Sequence, residues 1–328
     1  MDNKEKKLVN SNDGWNYKPD LPLQNSPLFE FPFNFKNILS WFHINYLSLS
    51  IRVFVLFIAV LSWLLFTPNL SDCKDFEFNW IMQIYLRNLF LIIFIAGSIH
   101  LYFYTFKKQE TNLKFDKRMM AKNNKIFKFN NQVFDNIYYT IVYGLTIWTL
   151  NEVFFIWLFA NEYISNSFWN ENIIWNILII LIIPIWHSFH FYWIHRFMHI
   201  KFIYRKIHLV HHRNINIGPW SGMSFHPVEQ IIYLSSVFIH LIILSNPFHI
   251  IYHMQYLIFN AVIAHSGFEG LLIKNKNKLN LGRFHHQLHH RFVECNYGNA
   301  EMPWDKWFGT FHDGTQGQMK KIKENRIL

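Results

Sequence analysis

Four long apolar runs restrict this chain more than any other feature. They cover about 48–66, 84–105, 136–160 and 173–194. About 20 consecutive apolar residues span a bilayer as a helix. A helix is the one open-chain structure that satisfies its own backbone polar groups in hydrocarbon. Two shorter apolar arms, about 228–245 and 248–265, are joined by Asn246-Pro247. As helices they would each be about 27 Å long. That barely spans, so they predict either two short spans or a re-entrant hairpin. Composition agrees: 51% of residues are hydrophobic and only 16% charged, against about 25% charged in a soluble domain. Disorder, collagen-like repeats and a disulfide scaffold are excluded, since two cysteines cannot make a framework. The expected fold is an all-α integral membrane protein with about four transmembrane helices plus a short helical hairpin.

Charge orients this bundle. The net charge is +10, and the basic residues cluster in loops between apolar runs. Anionic headgroups, not nucleic acid, are the expected counter-surface. Residues 107–128 hold Lys107, Lys108, Lys114, Lys117, Arg118, Lys122, Lys125 and Lys128 against Glu110 and Asp116. The positive-inside rule makes that loop cytoplasmic. The acidic loops 68–79 and 161–172 then face the other side, and the basic segment Arg196 to Arg213 is cytoplasmic again. Residues 195–226 and 266–328 therefore meet on the cytoplasmic face. Residues 1–47 read as a polar N-terminal tail and interfacial approach, without a signal peptide. Residues 48–172 read as membrane helices with the basic loop, and 313–328 as a C-terminal tail. Glu152, inside an apolar run, needs a partner or a cavity, and the bundle interior is the favoured place.

Histidine is the second anomaly. The chain has 19, and 17 of them lie from His187 to His312. His195 and His199 stand four apart at the end of the fourth run, on one helix face. His208-Leu-Val-His211-His212 follows, and His286-Gln-Leu-His289-His290 repeats the same HxxHH pattern after His285. His226 opens the hairpin and His265 closes it. Neutral imidazole binds first-row transition metals well. In HxxHH on a helix the three side chains sit at i, i+3 and i+4, so all three can converge. The sets supply about eight to ten ligands, and one metal takes four to six, so the expectation is a di-metal cap. No Asp or Glu lies within the clusters, unlike soluble di-iron bundles, and a zincin HExxH is absent. Three other readings stay open: a b-type cytochrome, a metal transporter or sensor, and a non-catalytic metal or lipid binder. His187 and His190 could line a pocket or stand behind the ligands, as could His285. His240, His249 and His253 read as structural or tunnel residues.

The run from Phe191 to His199, the two HxxHH patterns, Ser224-Phe225-His226-Pro227, His265-Ser-Gly-Phe-Glu269, Asn296-Tyr297-Gly298 and Trp304-Asp305-Lys-Trp-Phe308-Gly309-Thr310 resemble the fatty acid hydroxylase/sterol desaturase superfamily. The resemblance covers about 185–312, makes 173–312 the catalytic domain, and is closest to the sterol C5-desaturase-like branch. It implies a cytosolic-face, histidine-bound di-iron site that uses O2 to hydroxylate or desaturate an unactivated C–H of a lipid. It carries over His195, His199, His208, His211, His212, His286, His289 and His290 as the histidine boxes, with His265 and His226 as further ligands. Zinc can occupy such imidazole sites in an isolated sample. Electrons would come from cytochrome b5 or a ferredoxin with its reductase, because the chain has no haem, ferredoxin or dinucleotide motif of its own. One departure stands out. Many members have Asp seven residues before the first box histidine, where this chain has Ser188.

Overall fold

Each long apolar run becomes a helix in a computed structural model, which describes residues 14–273, 276–299 and 301–318. The four are α1 (Phe35–Phe66), α2 (Phe78–Thr105), α3 (Gln132–Ala160) and α4 (Ile173–Met198). Among the described residues, these four are long and apolar enough to cross a membrane. Helix α1 breaks at 48–50 and restarts at Ile51, where the Ser50 hydroxyl accepts the Val53 N–H at 3.3 Å. Asn131 starts α3 by accepting the N–H groups of Val133 and Phe134 at 2.9 and 3.3 Å. Such caps satisfy donors that a helix leaves unpaired at its start. Helix α4 continues past Pro184 to Met198, and so carries the first histidines to its C-terminal end.

The outward faces are apolar. Phe57, Leu64, Phe90, Ile93, Leu150, Ile174 and Ile182 are all exposed, as a helix facing hydrocarbon requires. This is a multi-pass, mostly helical membrane protein. The expected interior partner of Glu152 is Arg87, whose guanidinium donates to it, while the Asn88 amide donates to its other oxygen at 3.2 Å. Both charges are buried, so removing one partner alone would strand the other at a cost of about 3–5 kcal/mol.

The apolar pair is not two lipid-facing spans. Helix α5 (Pro227–Leu234) runs into a 3-10 turn, Ser235–Leu241. Helix α6 (Pro247–Ala264) then returns with every residue but Ala261 buried. It packs against α1, α2, α3 and α4 and is the centre of the bundle. A helix apolar on all sides must be surrounded, and here the surroundings are protein. Gly222 makes this close: a Cβ there would lie 2.6 Å from the Ala261 carbonyl oxygen on α6. At the far end of α6 from His265, a buried polar network links the loops. The His240 and Ser245 side chains are 2.7 Å apart, His240 and His253 3.0 Å, and Ser236 and His253 3.1 Å. His249 lies 3.0 Å from the Asn176 carbonyl. These three histidines tie the hairpin together, in line with a structural role.

After α6 comes a short antiparallel hairpin, β1 (Gly270–Ile273) with β2 (Lys276–Asn280), which an all-helical reading does not anticipate. It returns the chain to α7 (Phe284–Phe292) and α8 (Trp304–Trp307). Part of the polar N-terminal segment is firmly packed. Trp15 is 1% exposed and sits against Phe115, Phe284, Leu288 and Phe292 on and around α7. A single large aromatic among polar residues anchors that stretch through its buried area.

Candidate metal centre

Nine imidazoles converge where α4, the helical segment 201–212, the end of α6 and α7 meet. They form two groups. His195, His199, His208, His212 and His289 make one, and His211, His265, His286 and His290 the other; within each, the ligand nitrogens lie within 4.8 Å of one another. The two HxxHH patterns do not converge as intact triplets. His208 and His212 go to the first group and His211 to the second, whereas His286 and His290 go to the second and His289 to the first. The reason is helical pitch. Residues four apart share a face, but neighbours point about 100° apart, so each His-His pair straddles two centres. The groups are side by side, with His212 and His290 ring centroids 4.9 Å apart.

Several rings are fixed from behind. The Nδ1–H of His195 donates to the Tyr297 carbonyl at 2.6 Å, that of His289 to the Cys295 carbonyl at 2.6 Å, and that of His265 to the Ala261 carbonyl at 2.7 Å. A carbonyl only accepts, so Nδ1 must carry the hydrogen and Nε2 keeps a bare lone pair in the neutral ring. The ring of His208 is held by Glu229, 2.6 Å from its Nδ1. Burial favours the neutral form throughout. It pushes His265 down to about 4, and holds His208, His211, His212, His286, His289 and His290 well below the usual imidazole range.

These nitrogens face each other too closely for protein alone. The Nε2 atoms of His265, His286 and His290 form a triangle with 3.1 Å on every side. A hydrogen bond pairs one N–H with one lone pair, and a triangle cannot alternate the two. In the first group, His195 and His199 each lie 3.1 Å from His208 through Nε2, and His289 lies 3.0 Å from His212. Nitrogens bound about 2.1 Å from one cation at right angles would be about 3.0 Å apart. The donor set and its spacing therefore fit two first-row metal ions, one per group.

The remaining histidines named from sequence lie outside both groups. His226 caps α5, its Nδ1 accepting the Val228 N–H at 3.2 Å. His187 lines the adjoining cavity and packs edge-on to Tyr233 and Tyr256. His190 is 3.1 Å from the Ser235 hydroxyl. His285 stacks on Phe311 and sits 3.6 Å from Asp305. Ser188 is fully buried, and its hydroxyl has no partner among the described residues. The carboxylate that does meet a box histidine is Glu229, which sequence reading passed over. Its signal was slight: an acid at the start of an otherwise apolar arm. Burial pushes its carboxyl well above the usual range.

A cavity of about 60 Å³ adjoins the imidazoles. Its lining includes His195, His208, His211, His265 and His286 together with Phe191, Ile194, Met198, Phe225 and Tyr233. It can seat a small molecule or the tip of a larger one against both groups.

All nine grouped histidines lie within the stretch that a family model matches. Residues 180–310 match the family model described as fatty acid hydroxylase. A Delta(7)-sterol 5(6)-desaturase of Gibberella zeae is 29% identical over 46% of this chain and 46% of its own length. A Delta(7)-sterol-C5(6)-desaturase of Nicotiana tabacum is 28% identical over 48% of this chain and 57% of its own. Human lathosterol oxidase is 29% identical over 40% and 46%. The chain thus spans about half the length of the curated relatives it matches. No solved structure matches.

Proposed function

We propose, because residues 180–310 match the fatty acid hydroxylase family model and the similar curated proteins include sterol desaturases, that this chain is a membrane-bound, O2-dependent lipid oxidoreductase. Its two imidazole groups would each hold an iron ion, and the product would be an alcohol or an alkene. The single observation that carries this reading is the pair of imidazole groups bordering one apolar cavity. Two iron ions held there supply the redox chemistry that couples dioxygen to oxidation of an unactivated C–H bond. The protein's share is positional. The Tyr297, Cys295 and Ala261 carbonyls and Glu229 lock ring orientation from the second layer, which raises ligand basicity. Phe191, Phe225 and Tyr233 exclude water and hold one carbon close to the imidazoles.

The reading puts the histidine face in the cytoplasm, following the basic loop 107–128. Cytochrome b5, or a ferredoxin with its reductase, would deliver the electrons there. The lipid would reach the cavity from the bilayer. Sterols head the substrate classes, because the curated relatives carry sterol desaturase names. The residue set proposed for metal binding is the nine grouped histidines, with His226 as a capping residue.

The test compares lipid extracts by accurate mass from aerobic cells expressing this chain or its His289→Ala variant. The host must supply sterols, sphingolipids, ether lipids and an electron donor. A species that gains one oxygen or loses two hydrogens only with the intact chain is the expected result. Identical extracts would leave a non-catalytic metal or lipid binder.

A further inference from the structure

The cavity at the imidazoles has a larger neighbour. A second one, of about 380 Å³, lies between the break in α1, the middle of α6 and the end of β2. Ile44 and Leu49 at its edge are 54% and 69% exposed, so it adjoins the apolar outer surface. Its wall also carries Ser48, Ser50, Arg52 and Asn280, which makes it the more polar of the two. Two side chains, Asn260 and Arg283, line both cavities and so form the partition between them.

Asn260 is the unexplained one. It sits inside α6 with 7% exposure, yet its amide has no hydrogen-bond partner among the described residues. Its amide opens onto both cavities, where it offers both donors and acceptors. It precedes His265 by five residues, or about 7.5 Å along the helix. Arg283 adds charge. Its guanidinium donates to Glu301 at 3.4 Å, and the buried Arg52 donates to the same carboxylate. Two guanidiniums share one carboxylate, so one positive charge stays uncompensated by that pair.

We propose that Asn260 and Arg283 bind the oxygen-bearing end of the lipid substrate, a hydroxyl or a carboxylate, at the partition between the cavities. The carbon presented to the imidazoles then lies a few bonds from that oxygen, not far down a hydrocarbon chain. The bulk of the lipid occupies the larger cavity and enters through the break in α1. This rests on the lipid-oxidase reading above and names the chemistry that the site selects.

The test reads binding, not turnover. Full-length, metal-loaded protein in nanodiscs is titrated with two matched pairs: cholesterol against cholestane, and stearic acid against octadecane. The oxygenated member of one pair is expected to bind at least about tenfold more tightly, as one well-made buried hydrogen bond allows. Asn260→Leu should erase that preference while metal content stays the same. Asn260→Asp, of equal size, separates the two oxygen sources: it keeps a hydroxyl, which can donate to it, and rejects a carboxylate. If neither pair is discriminated, or if both Asn260 variants keep the wild-type preference with metal content intact, the proposal is overturned. The lipid-extract comparison with His289→Ala stands apart. An oxidised lipid there, with an unchanged preference in the Asn260 variants, removes this inference alone. A preference lost in the variants without any oxidised lipid keeps the binding site and removes the enzyme.

Discussion

Glu229 lies beside His208, and it changes what the histidine boxes can do. A ligand ring that turns freely loses affinity each time it turns away, so an acceptor behind it has a measurable effect. Glu229→Gln keeps the shape but replaces the carboxyl behind the ring with an amide. Metal affinity should fall about 10- to 100-fold, read by competition with a chelator of known strength. His226→Ala gives the contrast. His226 caps α5 by accepting the Val228 N–H, so metal content should hold while stability falls by about 1 kcal/mol. A halved metal content in His226→Ala would return that residue to the ligand set. The boxes themselves were legible from spacing, because four-residue intervals on a helix have one geometric meaning. Their division follows from the same pitch, but which boxes share a centre was not legible, since it depends on which neighbours α7 and the segment 201–212 meet. Glu229 was illegible for a related reason: it lies 21 residues from His208 and is joined to it only by folding.

The four spanning helices were readable from length and apolarity, because hydrocarbon thickness sets a narrow target. The role of α6 was not readable. An all-round apolar helix looks the same whether lipid or protein surrounds it. What distinguishes α6 is a tight contact, and that contact can be tested. A methyl group at Gly222 would meet backbone atoms of α6, 2.6 Å from the Ala261 oxygen and 2.8 Å from the Val262 Cα. Neither can rotate away as a side chain would. Gly222→Ala should therefore cost about 1–3 kcal/mol, seen as a lower midpoint of thermal unfolding in detergent. An unchanged midpoint would mean that α6 is free to shift, and with it His265. The β-hairpin escaped sequence reading for a different reason. Both strands are short, and β2 is rich in Lys and Asn, which are depleted in strands generally.

On the scale of the whole molecule, folding gathers neutral imidazoles from distant segments into one dry place. Burial holds His265 at about 4, and His208, His211, His212, His286, His289 and His290 well below the usual range. In the unfolded chain the same rings titrate near about 6.5. As pH falls below that value, the unfolded state takes up protons that the folded state refuses. Stability must then drop with falling pH, because the unfolded state binds more protons. The stabilisation is whole above about pH 6.5 and is lost progressively below it. Metal-free protein should therefore melt at steadily lower temperature as pH goes from 7.5 to 5.5. Bound metal competes with protons for the same nitrogens, so loaded protein should hold its midpoint further into acid and then lose metal and fold together. Melting curves across pH, with and without metal, measure both. Equal pH dependence in the two forms would mean that protons and metal do not compete for these imidazoles, and the two centres would lose their physical basis.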